Sequence, residues 1–234
     1  MRKTIRSIVF SAFLLCSLTL LSAQHGVRVA ADERTQGKGG VMKLPKPRFS
    51  SPTSVEQVLA ERRSIRKYSK DSLSLEEVSQ LLWAGQGETA DWGGRTAPSA
   101  GALYPLEIYL VAGEVQGLDA GLYHYDPERH VVAQKTKGDL RQKVTEASLH
   151  QDEITKAPAT IIISAVYERT MVKYGERGIR YVHMEVGSAA ENVYLQAEAL
   201  SLGTVFIGAF DDDQVKHALG IEEEPLAIMP VGRK

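Results

Sequence analysis

Residues 159–166, Ala-Thr-Ile-Ile-Ile-Ser-Ala-Val, form an apolar, β-branched run without the alternation of a half-exposed strand. Such a run suits a strand buried on both faces, since an amphipathic strand would turn every second side chain to water. A chain that contains it needs a sheet with this strand inside and helices to cover it.

The flanking pattern supplies both. Residues 106–112 alternate and read as a strand, and residues 122–125 and 130–134 flank Asp126-Pro127-Glu128-Arg129, the signature of a hairpin. Residues 204–207 and 226–231 predict two more strands. Ser54 with Gln57 three residues on predicts a helix start, with Val55, Val58 and Leu59 on one face. Ser74 with Glu77 predicts another, with Leu75, Val78, Leu81 and Leu82 as its stripe. Residues 85–105 hold five glycines and two prolines and read as loop. A helix is expected over about 139–149, and the longest between 181 and 202, ending on Gly203. Asp211 with Gln214 opens a last helix that stops at Gly220. The class is α+β, a central, mostly antiparallel sheet covered by helices.

The N-terminus is of another kind. Arg2, Lys3 and Arg6 precede an apolar segment, residues 8–21, and small residues follow through Ala23, with a second cleavage site at Ala31. Residues 1–23 therefore read as a secretory signal, which predicts an exported, periplasmic or extracytoplasmic protein. As a helix, residues 8–23 would span roughly 24 Å, short of the ~30 Å hydrocarbon core, so a membrane anchor is the lesser alternative. Residues 24–52 lack periodicity and read as a linker or arm, leaving residues 53–234 as one domain. Cys16 is the only cysteine, so the mature chain has no disulfide, thiolate nucleophile or cysteine metal site. The six histidines show no metal-ligand spacing, and no metal is expected. A net charge of −1 excludes bulk attraction to nucleic acid.

Basic residues do cluster locally. Arg62, Arg63, Ser64 and Arg66 place three guanidinium forks and a hydroxyl within five residues, a density that suits a phosphate or a solvated helix end. Pro98-Ser99-Ala100-Gly101-Ala102-Leu103-Tyr104-Pro105 is a run of small residues between prolines, able to approach a flat ligand closely or simply to turn at the surface. Arg233 ends the last strand and is a second anion ligand or part of a basic tail.

Taken together, these segments resemble the nitroreductase superfamily, in particular its SagB/ThcOx-type dehydrogenases. Arg-Arg-Ser-Ile-Arg-Lys-Tyr after the first helix is similar to the family's FMN-phosphate run, and the loop at Pro98, Ser99, Ala100, Gly101 and Leu103 to the one that lies over the flavin. Residues 203–211, with Ile207, Gly208 and Ala209, resemble the segment whose amides face the flavin N5 edge. Pro230-Val231-Gly232-Arg233 resembles the terminal strand whose arginine returns to the phosphate.

The resemblance covers about residues 55–234. It implies an FMN-dependent oxidoreductase, a homodimer with FMN at the interface, and a loop at Pro98 to Leu103 supplied by the partner. The flavin carries the hydride chemistry and the protein sets position and electrostatics. Lys173-Tyr174-Gly175-Glu176-Arg177-Gly178-Ile179-Arg180-Tyr181 looks like the segment of azoline-oxidising dehydrogenases whose Lys-Tyr pair acts in proton removal. A structural role for Tyr174 in a loop before the long helix is the other reading. Substrates so implied are a small molecule or a peptide heterocycle. NAD(P)H is the family's usual donor and sits poorly with export. A flavin-binding or electron-transfer protein without turnover is the alternative from another class.

Overall fold

The structure, a computed structural model, describes residues 36–37 and 40–234. The expected signal at residues 1–23 lies outside the described residues. The elements run β1 (Gln36–Gly37), β2 (Val41–Lys43), α1 (Val55–Glu61), α2 (Leu75–Gln86), a single 3-10 turn (Ala100–Ala102), β3 (Leu106–Ala112), β4 (Gly121–Asp126) and β5 (Val131–Lys137). They continue as α3 (Arg141–Ala147), α4 (Glu153–Lys156), β6 (Ala159–Ala165), α5 (Tyr167–Tyr174), α6 (Arg177–Ala199), β7 (Leu202–Thr204), α7 (Asp212–Leu219) and β8 (Glu224–Arg233).

The strands form one eight-stranded sheet in the order β1-β2-β5-β4-β3-β6-β8-β7. Every neighbouring pair is antiparallel. The apolar run becomes β6, between β3 and β8, and all of its residues are buried. Its side chains alternate between two cores, as strand geometry demands. Ile161 and Ile163 join Leu81, Leu82, Val186 and Val193 under α2 and α6, whereas Ile162 joins Val144, Ile154 and Val215 under α3, α4 and α7.

The start signals act as read. Ser54 accepts the Gln57 N–H, Ser74 and Glu77 close a reciprocal capping box, and Asp211 caps α7, which stops at a left-handed Gly220. On α1, however, only Val58 is buried; Val55 and Leu59 are exposed.

Three expectations are corrected. First, residues 24–52 are not all linker. Val41–Lys43 extends the sheet by pairing β5, and Leu44 is in the core. His130 secures this segment through a 2.8 Å bond from Nε2 to the Pro45 carbonyl. A three-residue strand is too short for alternation to show. Second, α6 starts at Arg177 rather than 181 and ends before Gly203. Ser201, not glycine, takes the left-handed turn (φ 59). Gly203 lies in β7, where an added Cβ would stand 2.6 Å from Ile65, so close packing rather than a helix cap requires it. Third, Lys173 and Tyr174 end a helix, α5, rather than lying in a loop.

Candidate active site

Two segments far apart in sequence meet at one point. α5 carries Lys173 and Tyr174 at its last turn, and Lys173 Nζ lies 5.4 Å from the centre of the Tyr174 ring. Tyr181 of α6 meets that ring edge-on, with centroids 5.1 Å apart. Opposite them stands Gly101, at φ 65 within the 3-10 turn. A Cβ on Gly101 would lie 2.8 Å from the Tyr174 hydroxyl and 3.0 Å from Lys173 Nζ. Any side chain here would displace the pair, so this glycine is required twice over, by conformation and by space. Pro98 and Gly101 are exposed, and Ser99, Ala100 and Leu103 are half-buried.

Charged residues lock α5 to the loop. Arg169 donates to the Tyr104 carbonyl at 3.1 Å and pairs with Glu107 at 2.5 Å, and the other Glu107 oxygen meets His124 at 2.6 Å. Burial works against the Glu107 charge, but the His124 and Arg169 hydrogen bonds and the Arg169 charge hold its carboxyl below the usual range. His124 and His130 thus serve packing and hydrogen bonding on the hairpin.

The second cluster surrounds the C-terminal half of α6. Ile65 N–H bonds the Thr204 carbonyl, Ser69 N–H bonds the Arg233 carbonyl, and β7 pairs β8, so residues 64–69, β7 and Arg233 share one sheet edge. Tyr194 of α6 joins its parts: its hydroxyl is 2.9 Å from Ser64 Oγ and accepts the Phe206 N–H at 2.7 Å. Arg62 stacks on the Tyr194 ring at 5.0 Å and reaches Glu191 at 3.8 Å, while Arg66 reaches Glu153 at 3.5 Å. Chain leaving α1 is extended at Arg62 (φ −52, ψ 125), and alternate side chains of extended chain share a side. Arg63 accordingly turns away, donating to the carbonyls of Ala60 and Arg62. The three guanidinium groups therefore do not converge: Arg62 and Arg66 flank Ser64 in sequence, but Arg62 meets Tyr194 of α6 beside Ser64, Arg66 reaches Glu153 of α4, and Arg63 folds back on α1. Arg233 donates to Glu77 at 3.0 Å, on the carboxylate oxygen that also caps α2. Ile207 is buried, bridged to Ile228, and Gly208 and Ala209 are exposed on the loop before α7.

A cleft of about 720 Å³ opens between residues 48–53 and helices α2 and α6, with Glu77, Trp83, Thr96 and Asn192 in its wall. Its volume is in the range of ligand pockets. Neither the Lys173–Tyr174 pair nor Arg62 and Arg66 line it.

Sequence reading passed over Tyr194 and Glu185. Both lie on the buried stripe of α6, which runs Val182, Glu185, Val186, Ala189, Ala190, Val193, Tyr194 and Ala197. A glutamate within an apolar stripe at helical spacing was the available signal.

An antiparallel α+β sheet covered on both faces, with an arginine-flanked serine at one edge and a phenol–ammonium pair under a small-residue turn, defines the class. The sequence model of the Nitroreductase family matches residues 59–233, and the chain belongs to that family. A protein named as a nitroreductase, MJ1384 of Methanocaldococcus jannaschii, is 47% identical over 196 residues, covering 84% of this chain and 98% of that one. The microcin B17-processing protein McbC of Escherichia coli is 26% identical over 165 residues, 68% of this chain and 60% of McbC. Among solved structures, a protein named as a nitroreductase from Ralstonia eutropha JMP134 superposes with a TM-score of 0.73 at 31% identity, covering 83% of this chain and 89% of that one. A chain of the E. coli microcin synthetase McbBCD complex with truncated pro-MccB17 bound superposes with a TM-score of 0.63 at 26% identity, covering 92% of this chain and 84% of that one.

Proposed function

We propose that this protein is an FMN-dependent oxidoreductase of the SagB/ThcOx type that dehydrogenates a small molecule or a peptide heterocycle. The observation that carries this reading is the meeting of Gly101 with the Tyr174 hydroxyl and Lys173 Nζ. A base is wanted where a proton leaves as hydride departs, and a phenol beside an ammonium is suited to it. The likeness to McbC, a processing protein, and to the microcin synthetase chain supports a peptide as the substrate class.

The residues present fit FMN. Arg62 and Arg66 flank Ser64 with loose ion pairs of 3.8 and 3.5 Å that a phosphate can replace, and Arg233 ends the adjacent strand. Bound FMN supplies the acceptance or donation of hydride. Tyr174 acts as base through its phenolate oxygen, which becomes the neutral phenol on taking the substrate proton; Lys173 offers a positive charge beside that oxygen, and Ser99 to Leu103 would shape the surface above a flat ring. Amides of Gly208 and Ala209, exposed on the loop before α7, would be available to the ring edge.

The protein works as a homodimer. Met184, Gly187, Ser188, Glu191 and Leu195 follow one another at helical spacing on α6, and Met184 is exposed together with Phe49, Val55 and Leu59. The Lys173–Tyr174 end, at Tyr181, and the Ser64 end, at Tyr194, lie along α6 thirteen positions apart, about 20 Å. A partner across this helix face would bring its Pro98–Leu103 turn to the first chain's arginines. Residues 1–23 direct export, so a donor other than NAD(P)H is expected to reoxidise or reduce the site.

Purification of the domain tests this. A yellow dimer with near one FMN per chain, reduced anaerobically by dehydrogenation substrates, is expected. A colourless protein that takes up no FMN would overturn the reading, and a flavin that no donor reduces would favour a binding protein without turnover.

A further inference from the structure

Ala165, the last residue of β6, pairs with Leu106, the first of β3, so the chain entering β3 and the chain leaving β6 pass the end of the sheet side by side. One carries the turn at Ser99 to Tyr104, the other α5 with Lys173 and Tyr174. A backbone bond joins them there, from Val166 N–H to the Pro105 carbonyl at 2.9 Å.

Beyond that point side chains hold the two segments together. Arg169 and Lys173 stand four residues apart on α5 and share a face. Arg169 meets the Tyr104 carbonyl at 3.1 Å, and one helical turn on, Lys173 Nζ lies 3.0 Å from where a Gly101 Cβ would be. One face of α5 therefore lies along the turn. The guanidinium fork serves two acceptors: Nη1 donates to Tyr104 while Nη2 pairs with Glu107 Oε1 at 2.5 Å. The Arg169 side chain is 42% exposed, the Glu107 side chain only 15%. Glu107 is seated in β3 opposite Ser164, and its second oxygen is 2.6 Å from His124 Nε2. The carboxylate is the fixed member of the pair and aims the guanidinium.

The turn needs such a hold. Gly101, Ala102 and Tyr104 are all left-handed, at φ 65, 54 and 45, and at Ala102 and Tyr104 that backbone persists only where its surroundings fix it. α5 is secured separately to α6, by Tyr167 on His183 at 2.6 Å and by Tyr174 against Tyr181. Loss of the clamp would free the turn rather than the helix.

Resting on the function proposed above, we infer that Glu107 is a positioning residue: it aims Arg169 at the Tyr104 carbonyl and so keeps the Ser99–Ala102 turn in register with Lys173 and Tyr174. It acts through Arg169 on the turn, and through the turn on the surface that faces the phenol.

The amides of Ala102 and Tyr104, bonded to the Ser99 carbonyl and hydroxyl, report the turn directly. In the purified protein, Glu107→Ala and Arg169→Ala should each lower their hydrogen-exchange protection about tenfold or more, with the amides of β6 unchanged. Arg169→Lys keeps a charge opposite Glu107, but its one nitrogen cannot span both acceptors, so it should hold the wild-type Tm and still loosen the turn. Each variant should slow flavin reduction by a peptide carrying an azoline ring roughly ten- to a hundredfold, in kcat rather than KM, as a small misplacement does. Adding Glu107→Ala to Arg169→Ala should slow it no further, because one residue acts through the other. Unchanged turn protection in both alanine variants, additive losses in the double variant, or a loosened turn with full-speed reduction would overturn the positioning role. A uniform loss of protection across the sheet would overturn it too, leaving an ion pair that only stabilises the fold. A wild-type flavin that the peptide does not reduce would instead overturn the function proposed above, while exchange at the turn decides the clamp by itself.

Discussion

The Tyr194 hydroxyl accepts the Phe206 N–H at 2.7 Å and lies 2.9 Å from Ser64 Oγ, so one phenol ties the basic run to the 203–211 loop. Tyr194→Phe keeps the ring on which Arg62 stacks and removes only these bonds. An N–H that loses its partner costs about 1–3 kcal/mol. FMN affinity is expected to fall roughly tenfold, the fold change that 1.4 kcal/mol produces. Fluorescence titration checks this, and unchanged affinity would show that the two segments position themselves.

Arg62 and Arg66 flank Ser64, whereas Arg63 folds back on α1. Replacing Arg62 and Arg66 together by alanine should weaken FMN about a hundredfold or more, at roughly 1.5–3 kcal/mol for each charge-assisted bond, and leave riboflavin binding much less affected. Arg63→Ala should change either ligand little. Parallel titrations of FMN and riboflavin decide it; equal losses for both ligands would mean that the run does not meet the phosphate.

Tyr174→Phe removes the hydroxyl that faces Gly101 and nothing else. Substrate-driven flavin reduction is expected to slow ~10²–10⁴-fold with FMN content unchanged, the usual contribution of a general base. Lys173→Met should slow it in the same direction. Stopped-flow reduction by several donors is the measurement. Full speed in both variants would leave the pair a structural role.

His130 should make stability depend on pH. Its Nδ1 meets the Tyr125 hydroxyl at 2.9 Å and its Nε2 the Pro45 carbonyl at 2.8 Å. Burial, opposed in part by the Pro45 hydrogen bond, lowers its pKa from the ordinary value of 6.5. The unfolded chain therefore binds the proton more readily, and stability present above pH 6.5 is lost as pH falls through the folded value. Thermal unfolding should show Tm dropping between pH 7 and 5, and His130→Asn should flatten that slope. Leu44→Ala, in the same segment, should cost about 2–5 kcal/mol at any pH. An unaltered acid limb in His130→Asn would assign the slope to other groups.

The local features were legible because local chemistry produces them. Ser54, Ser74 and Asp211 announce their helices through side-chain bonds within one turn. Residues 159–165 could be assigned to the sheet interior because Ile161–Ile163 interrupt any alternation with charged or strongly polar side chains. Motif resemblance then pointed to Arg62, Ser64, Gly101, Lys173 and Tyr174.

Only the tertiary structure decided which of these residues meet. Gly101 and Tyr174 are brought together by α5 folding back on α6, a contact that no spacing encodes. Arg63 separates from Arg62 and Arg66 through the backbone direction after α1. Gly203 looks like a helix cap from its neighbours, yet the approach of Ile65 from another segment sets its need for glycine. Tyr194 was visible as a polar break in an apolar stripe, but its role depends on Ser64 and Phe206, which only the packing of α6 places beside it. Short-range bonding is written in adjacent residues; long-range pairing is a property of the whole core.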